Sequence, residues 1–167
     1  MRTYTDTRQV FLEIKDKNNK GRTCKTRIPL PAIQEFKETE AMRFIGLHAC
    51  YKPEKLMPQL ENHFSRITLV NRGKTERLTI DIGLGFRNLS TNITSELPEV
   101  AIIELKQDGH VPSQAKQCLS EQHIHPVSIS KYCLGTILTH PDIKHNRFKK
   151  KLIQLNKITN GIYGYTF

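Results

Sequence analysis

Residues Glu76 to Phe86, ERLTIDIGLGF, alternate polar and apolar side chains with a period of two. In an extended strand this puts Arg77, Thr79 and Asp81 on one side and Leu78, Ile80, Ile82 and Leu84 on the other. One such strand alone is ordinarily explained by an antiparallel sheet with a solvated face. Four further segments repeat the pattern. VFLEIK (Val10 to Lys15) sets Phe11, Glu13 and Lys15 against Val10, Leu12 and Ile14, and TCKTRI places Lys25 with Arg27. FSRITLV places Arg66 with Thr68, and VAIIELK sets Glu104 and Lys106 against Ala101, Ile103 and Leu105. Each strand carries a cation on its polar side, and most carry an acid two residues from it. Charges of both signs on so many strands predict an α+β fold in which an antiparallel sheet curls its charged face inward. The expected architecture is a β tunnel or barrel with a charged lumen, its apolar face covered by flanking helices. Lysine and arginine donate charge-assisted hydrogen bonds to phosphate oxygens and carboxylates hold hard divalent cations, so such a lumen suits a polyanion with its metal ion.

At 167 residues the chain is most economically one domain, residues 1–167, with length enough for a buried core. The formal net charge of +10 points to an anionic partner. Aromatic residues are few and tryptophan is absent, without the interleaved rings of a single-strand stacking platform, so among phosphate-rich small molecules, nucleic acid and a membrane surface, nucleic acid drops to second place. Cys24, Cys50, Cys118 and Cys133 are far apart, with no CxxC pair, and are expected as reduced thiols of a cytoplasmic protein. Neither a signal peptide nor an apolar run of membrane-spanning length is present, so a soluble chain is expected.

Taken in order, VFLEIK and Arg22 to Ile28 read as a hairpin around the turn DKNNKG, and Pro29 and Pro31 end the second strand. The stretch from Ala32 to about Glu61 reads as an irregular helical crossover, with PAIQEFKE as one short helix and PEKLMPQLENHF as another broken at Pro58. A second hairpin follows, FSRITLV to ERLTIDIGLGF, turning at Asn71 to Lys74 with Gly73 as the expected left-handed residue. RNLSTNITSELPE reads as a polar loop. Val111 to Gln122 reads as a helix, and Ser130 is the expected N-cap of another. His123 and His125 read as surface polar sequence rather than a metal pair. Asn146 to Ile158 is a basic amphipathic helix, Tyr132 and Phe148 are expected to pack helices, and GIYGYTF reads as an added strand or a disordered end.

Together VFLEIK, KTR, FSR, ERLTID, IIELK, ISKYCLG and KHNRFK resemble, in order and spacing, the catalytic domain of the vacuolar transporter chaperone polyphosphate polymerases, within the triphosphate tunnel metalloenzyme superfamily. The resemblance implies an antiparallel tunnel that grips ATP and inorganic polyphosphate. It implies transfer of the terminal phosphoryl group of ATP to a growing chain with a divalent metal, Mn²⁺ or Mg²⁺. Lys15, Lys25, Arg66, Arg77 and Lys131 correspond to the catalytic cations. Arg2, Arg27, Lys106 and Ser130 join them as phosphate ligands, and Glu104 corresponds to the metal-binding glutamate.

Against the family pattern, the N-terminal strands are expected to be missing, which leaves open edges for a neighbour or a homo-oligomer to pair. Ser128 stands where the family has a basic residue. Two alternatives follow, a non-catalytic phosphate or polyphosphate-binding module and a triphosphatase on the same tunnel. For Glu13 and Asp81, a salt bridge to a neighbouring cation and a ligand role carry equal weight. No Walker-type glycine loop is present, which removes a P-loop kinase.

Overall fold

The computed structural model describes residues 1–19, 23–107, 109 and 112–161. They separate into two compact units, Met1–Met57 and Pro58–Phe167.

In the first unit β1 (Arg2–Tyr4), β2 (Gln9–Lys17) and β3 (Thr23–Leu30) form an antiparallel sheet in that order. The expected hairpin is present, with Glu13 opposite Arg27 and Lys15 opposite Lys25; residues 20–22 of its turn lie outside the described residues. PAIQEFKE forms only a 3-10 turn, Ile33–Lys37. The true helix of the crossover is α1 (Thr39–His48), whose Ala41, Phe44 and Ile45 recur at the helical spacing and bury against Val10, Leu12 and Leu30. The alternation of β2 therefore does what it predicts, with one side in a core and the other carrying charge.

The second unit is built around β5 (Glu76–Asn88). β4 (Leu60–Val70) pairs along one edge of it, while β6 (Thr94–Leu97) and β7 (Ile102–Gln107) divide the other edge, β6 against Leu84–Arg87 and β7 against Glu76–Asp81. β6 forms inside the segment expected as a polar loop. QLENHF, expected as helix, is the start of β4, because the four-residue spacing of Leu60 and Phe64 satisfies a strand as well as a helix. The β4–β5 turn is as expected except for its left-handed residue, which is Lys74 (φ 54°) and not Gly73.

One irregularity sets the character of this sheet. His63 is opposite Gly85 and Ser65 is opposite Ile82, so β5 carries one extra residue, a bulge at which Gly83 adopts φ 61°. Beyond it the parity of β5 reverses. Leu84, expected opposite to Asp81, instead shares its side together with Phe86 and Asn88, and all three are buried. Each half of that side thus has its own chemistry, charged before the bulge and apolar after it.

α2 (Gln114–Glu121) falls within the expected helix, whose first residue, Val111, lies outside the described residues, and it buries no residue. α3 (Lys131–Thr139) begins at the expected N-cap, Ser130. Its Leu134 and Ile137 join Leu84, Phe86, Leu97 and Val100 in the core, and Leu152 and Leu155 of α4 (Lys149–Ile158) close it. Phe148 packs against this cluster as expected, whereas Tyr132 is 55% exposed. Residues 162–167 of the expected tail lie outside the described residues.

The other side of the sheet, expected under helices, leaves Ile67, Leu69 and Ile82 exposed. Neither sheet closes on itself among the described residues. With antiparallel sheets and four α-helices among the described residues, the α+β expectation holds, and the open sheets are consistent with an incomplete β tunnel. No helix among the described residues is long and apolar enough to cross a membrane, and all four cysteines are free.

The close approach of α3 to the sheet depends on Gly135, where an added Cβ would stand 2.3 Å from Phe86 Cδ1 and 2.8 Å from Leu60 Cδ2. Gly135→Ala is expected to destabilise the second unit by about 1–3 kcal/mol through overpacking. Urea denaturation followed by circular dichroism checks this.

Candidate functional site

In the first unit, the side of the sheet away from α1 carries Arg2, Glu13, Lys15, Lys25 and Arg27. The Glu13 side chain is only 7% exposed, and three cations surround it, Lys25 Nζ at 3.2 Å and Arg2 Nε and Arg27 Nη1 at 4.0 Å. Burial pushes its carboxyl upward in pKa, but the hydrogen bond from Lys25 and the charges of Arg2, Lys25 and Lys15 outweigh this and hold it below the ordinary glutamate value. Lys15 lies directly opposite Lys25, a like-charge cross-strand pair that costs stability unless an anion bridges it. Phe11 lies beneath Arg27, whose Cζ is 4.4 Å from the ring centroid, and Tyr4 meets Phe11 edge-on at 6.0 Å.

In the second unit, the charged half of the sheet presents three rows across β4, β5 and β7: Arg66, Asp81 and Ile102; Thr68, Thr79 and Glu104; Val70, Arg77 and Lys106. Asp81 is fully buried. Arg66 grips it through two parallel bonds, Nε to Oδ1 at 2.6 Å and Nη2 to Oδ2 at 2.7 Å, and Lys131 Nζ reaches Oδ2 at 2.5 Å. Burial raises the Asp81 pKa, but the hydrogen bonds and charges of Arg66 and Lys131 prevail, so it sits below the ordinary aspartate value. The Phe64 ring lies under both cations, 5.2 Å from Arg66 Cζ and 4.9 Å from Lys131 Nζ. Ser130 Oγ accepts from Cys133 N at 3.4 Å, so its hydroxyl caps the helix that delivers Lys131.

Glu104 lies in the middle row, partly exposed, with Lys106 Nζ at 3.3 Å. No three His, Cys, Asp or Glu side chains come together among the described residues, and His123 and His125 form no metal cluster there. A carboxylate as accessible as that of Glu104 fits a hard divalent cation such as Mn²⁺ or Mg²⁺, which takes one or two carboxylates and draws its other ligands from water and any phosphate present.

The expected site residues thus fall on two charged sheet faces. Arg2, Lys15, Lys25 and Arg27 share the face of the first unit; Arg66, Arg77, Glu104 and Lys106 share that of the second, where Lys131 joins them from α3. For Glu13 and Asp81 the structure realises the salt-bridge alternative. The rings under the cations were not anticipated, although Phe64 stands two residues before Arg66 and Phe11 two before Glu13, spacings that place each on the charged side of its strand.

A family model described as the VTC domain matches residues 1–140 of the chain. No curated protein and no solved structure matches.

A carboxyl whose folded pKa lies below its unfolded value stabilises the fold above that unfolded value, and the contribution is lost as pH falls through the depressed folded value. Replacing Asp81 by asparagine is therefore expected to cost about 2–4 kcal/mol at neutral pH, by leaving Arg66 and Lys131 without their counterion. Below about pH 4 the variant is expected to lose less further stability than the parent. Urea titrations from neutral to acid pH check both halves of the expectation; parallel pH profiles would contradict it.

Proposed function

The chain belongs to the VTC-domain family, and we propose that it is a polyphosphate polymerase-type domain that binds ATP and inorganic polyphosphate on its cationic faces and transfers the terminal phosphoryl group of ATP to the polyphosphate chain. The observation that carries this reading is the gathering of Arg66, Arg77, Lys106 and Lys131 on the same side of one sheet as Glu104. In the transfer, a terminal oxygen of the acceptor chain attacks the γ-phosphorus of ATP, the bond from that phosphorus to the bridging oxygen breaks, and ADP leaves. Little covalent help is needed, so positioning and charge neutralisation supply most of the catalysis. Asp81 fixes the positions of Arg66 and Lys131 on the sheet, and a phosphate meets them by sharing them with that carboxylate. Arg77 and Lys106 extend the grip along the sheet, and Lys15, Lys25, Arg27 and Arg2 act as phosphate ligands on the face of the first unit. Glu104 would hold a divalent cation together with phosphate oxygens, and when bound the ion offsets their charge.

A non-catalytic polyphosphate-binding module is the second reading. It is favoured by the surroundings of Glu104, which pairs with Lys106 and joins no group of three metal-ligating side chains among the described residues.

Incubation with ATP and Mn²⁺ separates the two. Polymerase activity yields ADP and lengthening chains, the binding module yields neither, and free phosphate without polymer marks a triphosphatase. For the polymerase, Arg66→Ala is expected to lower turnover by about 100-fold. Glu104→Ala is expected to remove turnover while leaving polyphosphate affinity largely unchanged, as measured by calorimetric titration.

A further inference from the structure

From Lys144 to Lys157 the chain carries Lys144, Arg147, Lys149, Lys150, Lys151 and Lys157 and no acid. This segment lies beyond residue 140, where the match to the VTC domain ends. Leu152 and Leu155 fix α4 in the core, with Phe148 packed beside them, so the helix turns its other sides to solvent. Helical spacing puts Lys150, Ile153 and Lys157 on one outward strip, three and four residues apart, with Lys149 four residues before Ile153. All four are exposed. We propose that this strip is a docking surface for the anionic face of a lipid bilayer, its lysines meeting the headgroups and Ile153 entering between them. The proposal is independent of the polyphosphate reading and uses none of the residues assigned to it.

The electrostatics of α4 point to an external anion. A helix N-terminus carries partial positive charge and is stabilised by acids, yet α4 begins with Lys149, Lys150 and Lys151, has no acid in its first turn and has no side-chain cap. Among the described residues, Lys144, Arg147, Lys150 and Lys157 form no salt bridge, and Lys151 Nζ lies 5.0 Å from the centroid of the Phe148 ring. The two sheets hold Glu13 and Asp81 among their cations, whereas Lys150 and Lys157 have no such acid. Three lysines in a first turn break a local rule of helix stability, and function is where such breaks are expected. The outward isoleucine selects the kind of anion. A nucleic-acid backbone or a free polyphosphate offers Ile153 no apolar contact, and the segment's aromatic residue, Phe148, packs against the core and is not available for stacking on a base. A bilayer offers both parts, charged headgroups for clustered lysines and acyl chains just beneath them for Ile153. The contact is peripheral, because Leu152 and Leu155 are committed to the core and no helix among the described residues is long and apolar enough to cross a membrane.

The test is cosedimentation of the full chain with vesicles of phosphatidylcholine, alone or mixed with phosphatidylserine, beside titrations with a duplex oligonucleotide and long-chain polyphosphate. The expected result is binding to the phosphatidylserine vesicles and not to phosphatidylcholine alone, weakened by added salt. Lys150→Gln combined with Lys157→Gln is expected to lower vesicle affinity roughly 20-fold, from about fivefold for each cation near an anionic leaflet. Ile153→Ser is expected to lower it roughly threefold through lost apolar contact. All three positions are exposed, and thermal melts by circular dichroism verify that the variants fold. Polyphosphate affinity should be unchanged in both variants. A parent chain that ignores phosphatidylserine vesicles, or either variant binding them as the parent does, would overturn the docking surface. Tighter binding to the duplex, or to polyphosphate, that falls with the same lysines would overturn it too and assign the strip to that anion. If the parent binds the vesicles but not polyphosphate, the polyphosphate reading fails and the lipid surface stands.

Discussion

The buried carboxylate of Asp81 is the interaction on which the second unit depends. It lies on the central strand of the sheet, receives Arg66 from the neighbouring strand, and draws Lys131 in from the first turn of α3. An unpaired charge in that position would be costly, and two cations so close together would repel without it. The triad thus fixes a helix to a sheet and holds two basic groups ready for an anion. Glu13 plays a similar part in the first unit, where one nearly buried acid lies among Arg2, Lys25 and Arg27. Each unit therefore carries an internal counter-ion for its cations.

The bulge at Gly83 explains how one strand serves both the site and the core. Before it, Thr79 and Asp81 face the charged rows; after it, Leu84 and Phe86 enter the cluster under α3 and α4 on the same side. Without the extra residue, a strict alternation would have put the apolar half of β5 on the opposite side from Asp81. α3 could then not have packed against Phe86 while offering Lys131 to the carboxylate.

Much of this was legible in the residues. The charged and apolar alternation of β2, β3, β4, β5 and β7 located the strands, and the likeness of seven short motifs pointed to the family that the comparison then supplied. The bulge was hidden because Ile82, Leu84 and Phe86 continue an even-numbered apolar series, so a reversal of sides leaves no trace in the pattern. α1 was blurred by Met42 and Leu47, apolar residues off its buried stripe. Short β6 lacks any apolar run and is specified by pairing with β5 rather than by its own composition. The role of Asp81 was visible as an acid among cations, but whether it would bind a metal or a guanidinium depends on register, which composition does not carry.

The uncovered side of the second sheet bears on how the molecule behaves in bulk. Ile67, Leu69 and Ile82 offer neighbouring molecules an apolar surface, and a formal net charge of +10 keeps those neighbours apart. Added salt screens the repulsion, and an excluded salt such as sulfate strengthens apolar contact at the same time. Colloidal dispersion of this protein is therefore electrostatic in origin. It weakens as ionic strength rises.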